Sequence, residues 1–179
     1  ELREKFKIGP EKFTVLIVTG SFGIGPIEEV TDLLQNNDLE ILVVCASNKG
    51  LFERLTAKNY PDVQVFGFID NVEELMAVSD VIITKPGGMT ISELLVMELA
   101  PVFIHAIPGQ EAENVRAMQD YGIGLHPRDI KDIKNIILDY KANPDKLKSI
   151  KDKIRQIKKP FTDQELYNVV CQGSGGPGR

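Results

Sequence analysis

Five short apolar runs are spaced along the chain, at residues 13–19, 40–45, 63–68, 81–84 and 102–104. They read as strands, and the first, 13–19, is β-branched and nearly all apolar, the pattern of a strand buried on both faces. Between them the apolar residues recur every three or four positions instead, which predicts helices. Ile27, Val30, Leu33 and Leu34 form one such stripe, and residues 51–59 and 89–95 read the same way. A short helix runs from a cap at Asp70 or Asn71 through Ala77. The helix after the fifth run ends at Gly122. Residues 129–140 align Ile130, Ile133, Ile136, Ile137 and Tyr140. A long helix then starts at Asn143-Pro144, carries Leu147, Ile150, Ile154 and Ile157 on one side, and stops at Pro160. Leu125 stands too much alone to predict a strand. Strands alternating with helices predict an α/β fold, a doubly wound parallel sheet with helices on both faces and right-handed crossovers.

The same pattern sets the expected organisation. Residues 1–12 are polar, with Phe6 and Ile8 as apolar points, and read as a linker. Residues 13–170 read as one domain, with a final short helix at 164–170, and 171–179 as a low-complexity, disordered tail.

Composition narrows the classes. A chain of 179 residues is long enough for one domain with its own core. A net charge of −5 argues against nucleic acid as the main partner. No apolar run approaches the length of a membrane span. There is no signal peptide, and the first residue is Glu, so the chain reads as cut from something longer. Cys45 and Cys171 lie far apart, outside any metal-ligand spacing, which suits a reducing cytosol. His105 and His126 give a zinc site little to draw on. His105 falls at a strand end and reads as a satisfied, partly buried side chain. Residues 131–159 hold ten Lys/Arg against four Asp. That excess fits a solvated helix face, or contact with an anionic membrane surface or a second domain.

Candidate chemistry lies in the loops after the strands, because ligands of an open α/β sheet sit outside the carboxyl ends. Gly87-Gly88-Met89-Thr90 turns from the fourth strand into a helix. Glycines let the backbone approach closely, and free N–H groups at a helix start favour a phosphate or diphosphate. The bland alternative is a tight turn. Gly20-Ser21-Phe22-Gly23-Ile24-Gly25 faces the same rim and strengthens the phosphate reading. It is not a G-x-G-x-x-G fingerprint, since residue 28 is Glu, nor a P-loop. Thr90-Ile91-Ser92-Glu93 has the spacing of a capping box, with Glu93 reaching back to the Thr90 N–H. The competing role for Glu93 is holding two ribose hydroxyls. Gln110 and Asn114 stand four apart on the next helix, with Glu111 one step round. They suit the hydroxyls of a sugar, or else form a solvated first turn.

Three segments together carry a family resemblance: 20–26, 84–93 (Thr-Lys-Pro-Gly-Gly-Met-Thr-Ile-Ser-Glu) and 108–114 (Pro-Gly-Gln-Glu-Ala-Glu-Asn). From about Phe13 to Lys159 the chain resembles the carboxyl-terminal domain of the diacylglycerol glycosyltransferases, the monogalactosyldiacylglycerol synthases and processive diacylglycerol glucosyltransferases. These are similar to the glycosyltransferase that completes lipid II. The resemblance implies a Rossmann-like domain, the carboxyl-terminal half of a GT-B enzyme, that binds a UDP-hexose. It implies that Glu93 holds the ribose and that Gln110, Glu111 and Asn114 meet the hexose. Gly87, Gly88, Met89 and Thr90 would meet the diphosphate, and Phe68 and Ile69 the uracil edge. Ser21 and Gly23 would lie near the phosphates and acceptor, although many relatives carry Gly where Ser21 stands. The implied reaction is inverting hexose transfer from UDP to diacylglycerol, with no metal and no cofactor beyond the donor. The general base would lie in an amino-terminal domain, so no catalytic residue is assigned here, and this half is expected to be inactive alone. The implied location is the cytoplasm, peripheral on the inner face of the cell membrane.

Other readings share the architecture. One is a soluble N-acetylglucosaminyltransferase subunit of lipid-linked oligosaccharide synthesis, against which the 1–12 leader argues. Another is half of a UDP-sugar 2-epimerase. A receiver-like module would need an acidic cluster where Gly20 and Ser21 stand.

Overall fold

The computed structural model describes residues 1–158. The expectations for Pro160, 164–170 and 171–179 lie outside the described residues. All five predicted strands form: β1 (Thr14–Val18), β2 (Glu40–Val44), β3 (Val63–Phe66), β4 (Val81–Thr84) and β5 (Ala100–Phe103). They make one parallel sheet in the order β3-β2-β1-β4-β5. Every residue of β1, β2, β4 and β5 is buried, while β3, at an edge, is half-buried throughout. Burying each Val or Ile of those runs contributes roughly 1.5–3 kcal/mol, so the apolar runs are what hold the sheet.

The helices are α1 (Leu2–Lys5), α2 (Ile27–Leu34), α3 (Lys49–Lys58), α4 (Val72–Val78), α5 (Gly88–Val96), α6 (Gln110–Asp120), α7 (Asp132–Ala142) and α8 (Pro144–Lys158). Right-handed crossovers place α2 and α3 on one face of the sheet and α4 and α5 on the other. Among these described residues, no helix is long and apolar enough to cross a membrane.

Three differences from the sequence reading have physical causes. Residues 1–12 are docked on the domain. Arg3 donates to the carbonyls of Gly9, Lys12 and Val78, Ile8 is buried, and Phe6 meets Phe66 edge-on at 6.1 Å between ring centres. Few apolar residues sufficed because one guanidinium gathers three backbone oxygens, which polarity counts do not register. The third strand ends at Phe66, two residues early, so Phe68 emerges from the sheet edge and is 68% exposed. Leu125 forms a one-residue parallel bridge to Val102 outside β5. Its N–H donates to Pro101 and its carbonyl accepts from Phe103.

The basic excess of 131–158 is also resolved in part. Lys141 pairs with Asp38, Lys146 with Asp139, and Arg155 with both Glu98 and Asp152.

Candidate functional site

After β1 the chain winds outward through β2 and β3; after β4 it winds the other way through β5. A crevice therefore opens between the carboxyl ends of β1 and β4. The structure puts a two-part trough there. One part, of about 190 Å³, is lined by Gly20, Ser21, Ala46, Phe68, Ile69, Val72, Met76, Thr90 and Glu93. The other, of about 220 Å³, is lined by Thr19, Gly20, Ser21, Phe22, Ile24, Lys85, Gly87, Thr90 and Glu111. Gly20, Ser21 and Thr90 belong to both, so the parts are continuous. Its walls come from β1, the turns after β2 and β3, and the starts of α4, α5 and α6.

The α5 end gives the trough its polar floor. Gly87 precedes the helix in extended backbone, and the first helical bond runs from Ile91 N–H to the Gly87 carbonyl at 2.9 Å. The N–H groups of Gly88, Met89 and Thr90 thus have no partner inside the helix. Because the helix starts at Gly88, Thr90 is already in its first turn and not its cap. The capping box that the Thr90–Glu93 spacing suggested does not form, and among the described residues no side chain caps α5. With Gly87 as the cap, the helix starts three residues earlier than the spacing implied. Glu93 is left exposed on the trough wall, and its carboxylate has no hydrogen bond or ion pair among the described residues.

The loop after β5 is braced against the loop after β4. Asn114 Nδ2 donates to the Pro86 carbonyl at 2.9 Å. The Ile107 N–H donates to Glu111 Oε2 at 2.8 Å, and Lys85 Nζ lies 3.4 Å from Glu111 Oε1. Gln110 opens α6, exposed and outside the trough lining. So Glu111 reaches the trough, Asn114 supports its wall, and Gln110 stands outside.

Gly23 has a different task from the one expected. At φ 57°, it packs so closely that a side chain would place a carbon 2.2 Å from the Cys45 carbonyl oxygen. Its own carbonyl accepts from Asn48 Nδ2 at 3.0 Å. Gly23 shapes the loop and does not line the trough. Cys45 beneath it is fully buried, which pushes its thiol up to about 11 and keeps it protonated and unreactive. Met89 is 81% exposed and Gly88 offers only backbone. The structure thus brings together Ser21, Phe68, Ile69, Gly87, Thr90, Glu93 and Glu111.

Several trough residues escaped the sequence reading. Lys85 stood inside the Lys-Pro-Gly-Gly segment but drew attention only to its glycines. Thr19 directly follows β1, is 5% exposed, and its Oγ1 has no hydrogen-bond partner among the described residues. Val72 and Met76 reach the site from α4, which no loop motif signals. His105 corrects its expectation: it is exposed, in a left-handed conformation at φ 51°, with no side-chain bond among the described residues. It lies past the end of β5, where the sheet no longer covers it.

Comparisons agree with this geometry. A processive diacylglycerol beta-glucosyltransferase of Staphylococcus haemolyticus (strain JCSC1435) is 33% identical over 160 residues, covering 87% of this chain and 41% of the relative. That of Bacillus subtilis (strain 168) is 29% identical over 178 residues, covering 96% and 46%. The chain spans about half the length of the curated relatives it matches. Among solved structures, Anabaena Alr3699/HepE in complex with UDP superposes with a TM-score of 0.69 at 16% identity, over 96% of this chain and 50% of that one. The fold is thus that of a GT-B carboxyl-terminal half. Residues 14–165 match the model of the glycosyltransferase family 28 C-terminal domain. With the strand order, the switch-point trough and this match in agreement, the chain belongs to the glycosyltransferase family 28 C-terminal domain family.

Proposed function

We propose that this chain is the donor-binding half of an inverting hexosyltransferase that carries a hexose from UDP to diacylglycerol. The observation that carries the reading is that the open amino terminus of α5 and, one turn on, the Glu93 carboxylate, which has no partner among the described residues, border one trough. A helix start binds the diphosphate through backbone N–H groups. A carboxylate free of protein partners can accept from two vicinal ribose hydroxyls. Phe68 and Ile69, at the far end, meet the uracil; Glu111, at the near end, faces the hexose, with Gln110 at the mouth. Asn114 acts through the Pro86 loop that it holds.

In the reaction, the bond from the anomeric carbon to the β-phosphate oxygen breaks, and the α5 terminus stabilises the charge left on UDP. The acceptor hydroxyl needs a general base, which the other half of the enzyme would supply. The curated relatives are named for diacylglycerol and glucose, and both carry over here as the proposed acceptor and sugar. A diacylglycerol acceptor places the work at a membrane surface, with this domain on its cytoplasmic side. No cofactor besides the donor is required by this scheme.

Calorimetry with UDP and ADP tests the reading. A backbone edge at 68–69 reads one base, so UDP binds and ADP binds much more weakly. Equal affinities would remove the uracil site.

A further inference from the structure

Among the described residues lining both parts of the trough, Lys85 is the one cation, and it shares the trough with two carboxylates, Glu93 and Glu111. A diphosphate adds more negative charge to that space. Lys85 is already engaged, by Glu111, but loosely: Nζ and Oε1 are 3.4 Å apart without a hydrogen bond. Both side chains are about one-fifth exposed, at 19% and 22%, so their charges are only partly screened. Glu111 has a second anchor that Lys85 lacks, the Ile107 N–H on Oε2. The position of the Glu111 carboxylate therefore does not rest on Lys85 alone. Lys85 and Thr90, the latter in the first turn of α5 with its N–H free inside the helix, line the same 220 Å³ space, so one anion there is within the surroundings of both. The nearly buried Thr19 hydroxyl, with no hydrogen bond among the described residues, lines that space as well.

Building on the donor-binding reading, we infer that Lys85 is an exchangeable counter-ion: it rests on Glu111 in the empty site and transfers to the diphosphate when the donor binds. The transfer does two things. It supplies the point charge that backbone dipoles alone do not. It also frees one Glu111 oxygen to accept from the hexose, so the sugar contact becomes available only after the diphosphate is seated. Nucleotide and sugar recognition are then sequential.

The test is calorimetry on this chain with uridine and UDP, using Lys85→Met, Lys85→Arg, Glu111→Gln and the Lys85→Met/Glu111→Gln double variant. Lys85→Met weakens UDP by about 10- to 100-fold and leaves uridine unchanged within about twofold. Lys85→Arg retains most of the UDP affinity. Glu111→Gln tightens UDP, since a competitor for the ammonium is gone, and that gain disappears in the double variant. Equal loss of UDP and uridine in Lys85→Met would show a structural role and overturn the inference. So would an unchanged UDP affinity in Lys85→Met, or weaker UDP binding in Glu111→Gln. Failure of the unaltered chain to bind either ligand would instead sink the donor-binding reading itself, and this inference with it.

Discussion

Replacing Glu93 by Gln isolates one charge at one site. The side chain has no partner in the described structure, and α5 begins without its help. Folding therefore loses nothing: the unfolding free energy shifts by less than about 0.5 kcal/mol, as for surface substitutions. Binding is another matter. A hydrogen bond to a charged group contributes about 1.5–3 kcal/mol, so UDP affinity falls by roughly 10- to 100-fold. Gln keeps one acceptor oxygen, which holds the loss near the lower end. A UDP analogue without the 2′ and 3′ hydroxyls provides the control, because it binds the variant and the unaltered chain alike. Calorimetric titration of both ligands, beside thermal unfolding of both proteins, gives all four quantities. An unchanged dissociation constant for UDP in Glu93→Gln would refute the ribose assignment. An equal loss for UDP and the analogue would place the effect elsewhere than the hydroxyls.

Asn114→Ala and Gln110→Ala, expected from spacing alone to behave alike, now separate. The first strips the Pro86 carbonyl of its donor, costing about 1 kcal/mol of stability and weakening UDP as the loop loosens. The second leaves unfolding and UDP affinity unchanged and lowers hexose transfer in the full-length enzyme; identical behaviour of the pair would contradict the bracing. Glu40, nearly buried and taking a hydrogen bond from Gln64 at 2.6 Å, has its pKa raised above the usual 4.5 chiefly by desolvation. A raised carboxyl favours the folded state below pH 4.5, and that advantage is lost as pH climbs through the folded value. Glu40→Gln should therefore gain in Tm over the unaltered chain between about pH 4 and neutrality, and a difference that stays flat across that range would discount the burial of charge.

The sheet was legible because its strands are buried on both faces, so the apolar runs at 13–19, 40–45 and 81–84 admit little else. Boundaries set by single backbone bonds were not. The start of α5 turned on whether Gly87 or Thr90 stands at the cap, and both choices satisfy the apolar period. The site was legible where glycine and charge coincide in one loop, as at 85–93. It was obscure where a side chain has two available partners. Nothing in the spacing of Asn114 distinguishes a sugar hydroxyl from the carbonyl of Pro86, which lies 28 residues away in sequence. Arg3 shows the same limit, since its three carbonyl partners are brought together only by the finished fold.

Pro101 lies on β5, one of the two outermost strands, and among the described residues the chain beyond it contributes one bridging residue, Leu125, to that side. An open sheet edge is a template for any other extended chain. Here the Pro101 carbonyl and the Phe103 N–H, the groups a newcomer would seek, are already taken by Leu125. The proline itself offers no N–H to extend the ladder. One proline and one bridging residue thus close the flank next to the β4–β5 half of the sheet. Another copy of the chain would therefore find the outward-facing groups of β5 already occupied along this flank.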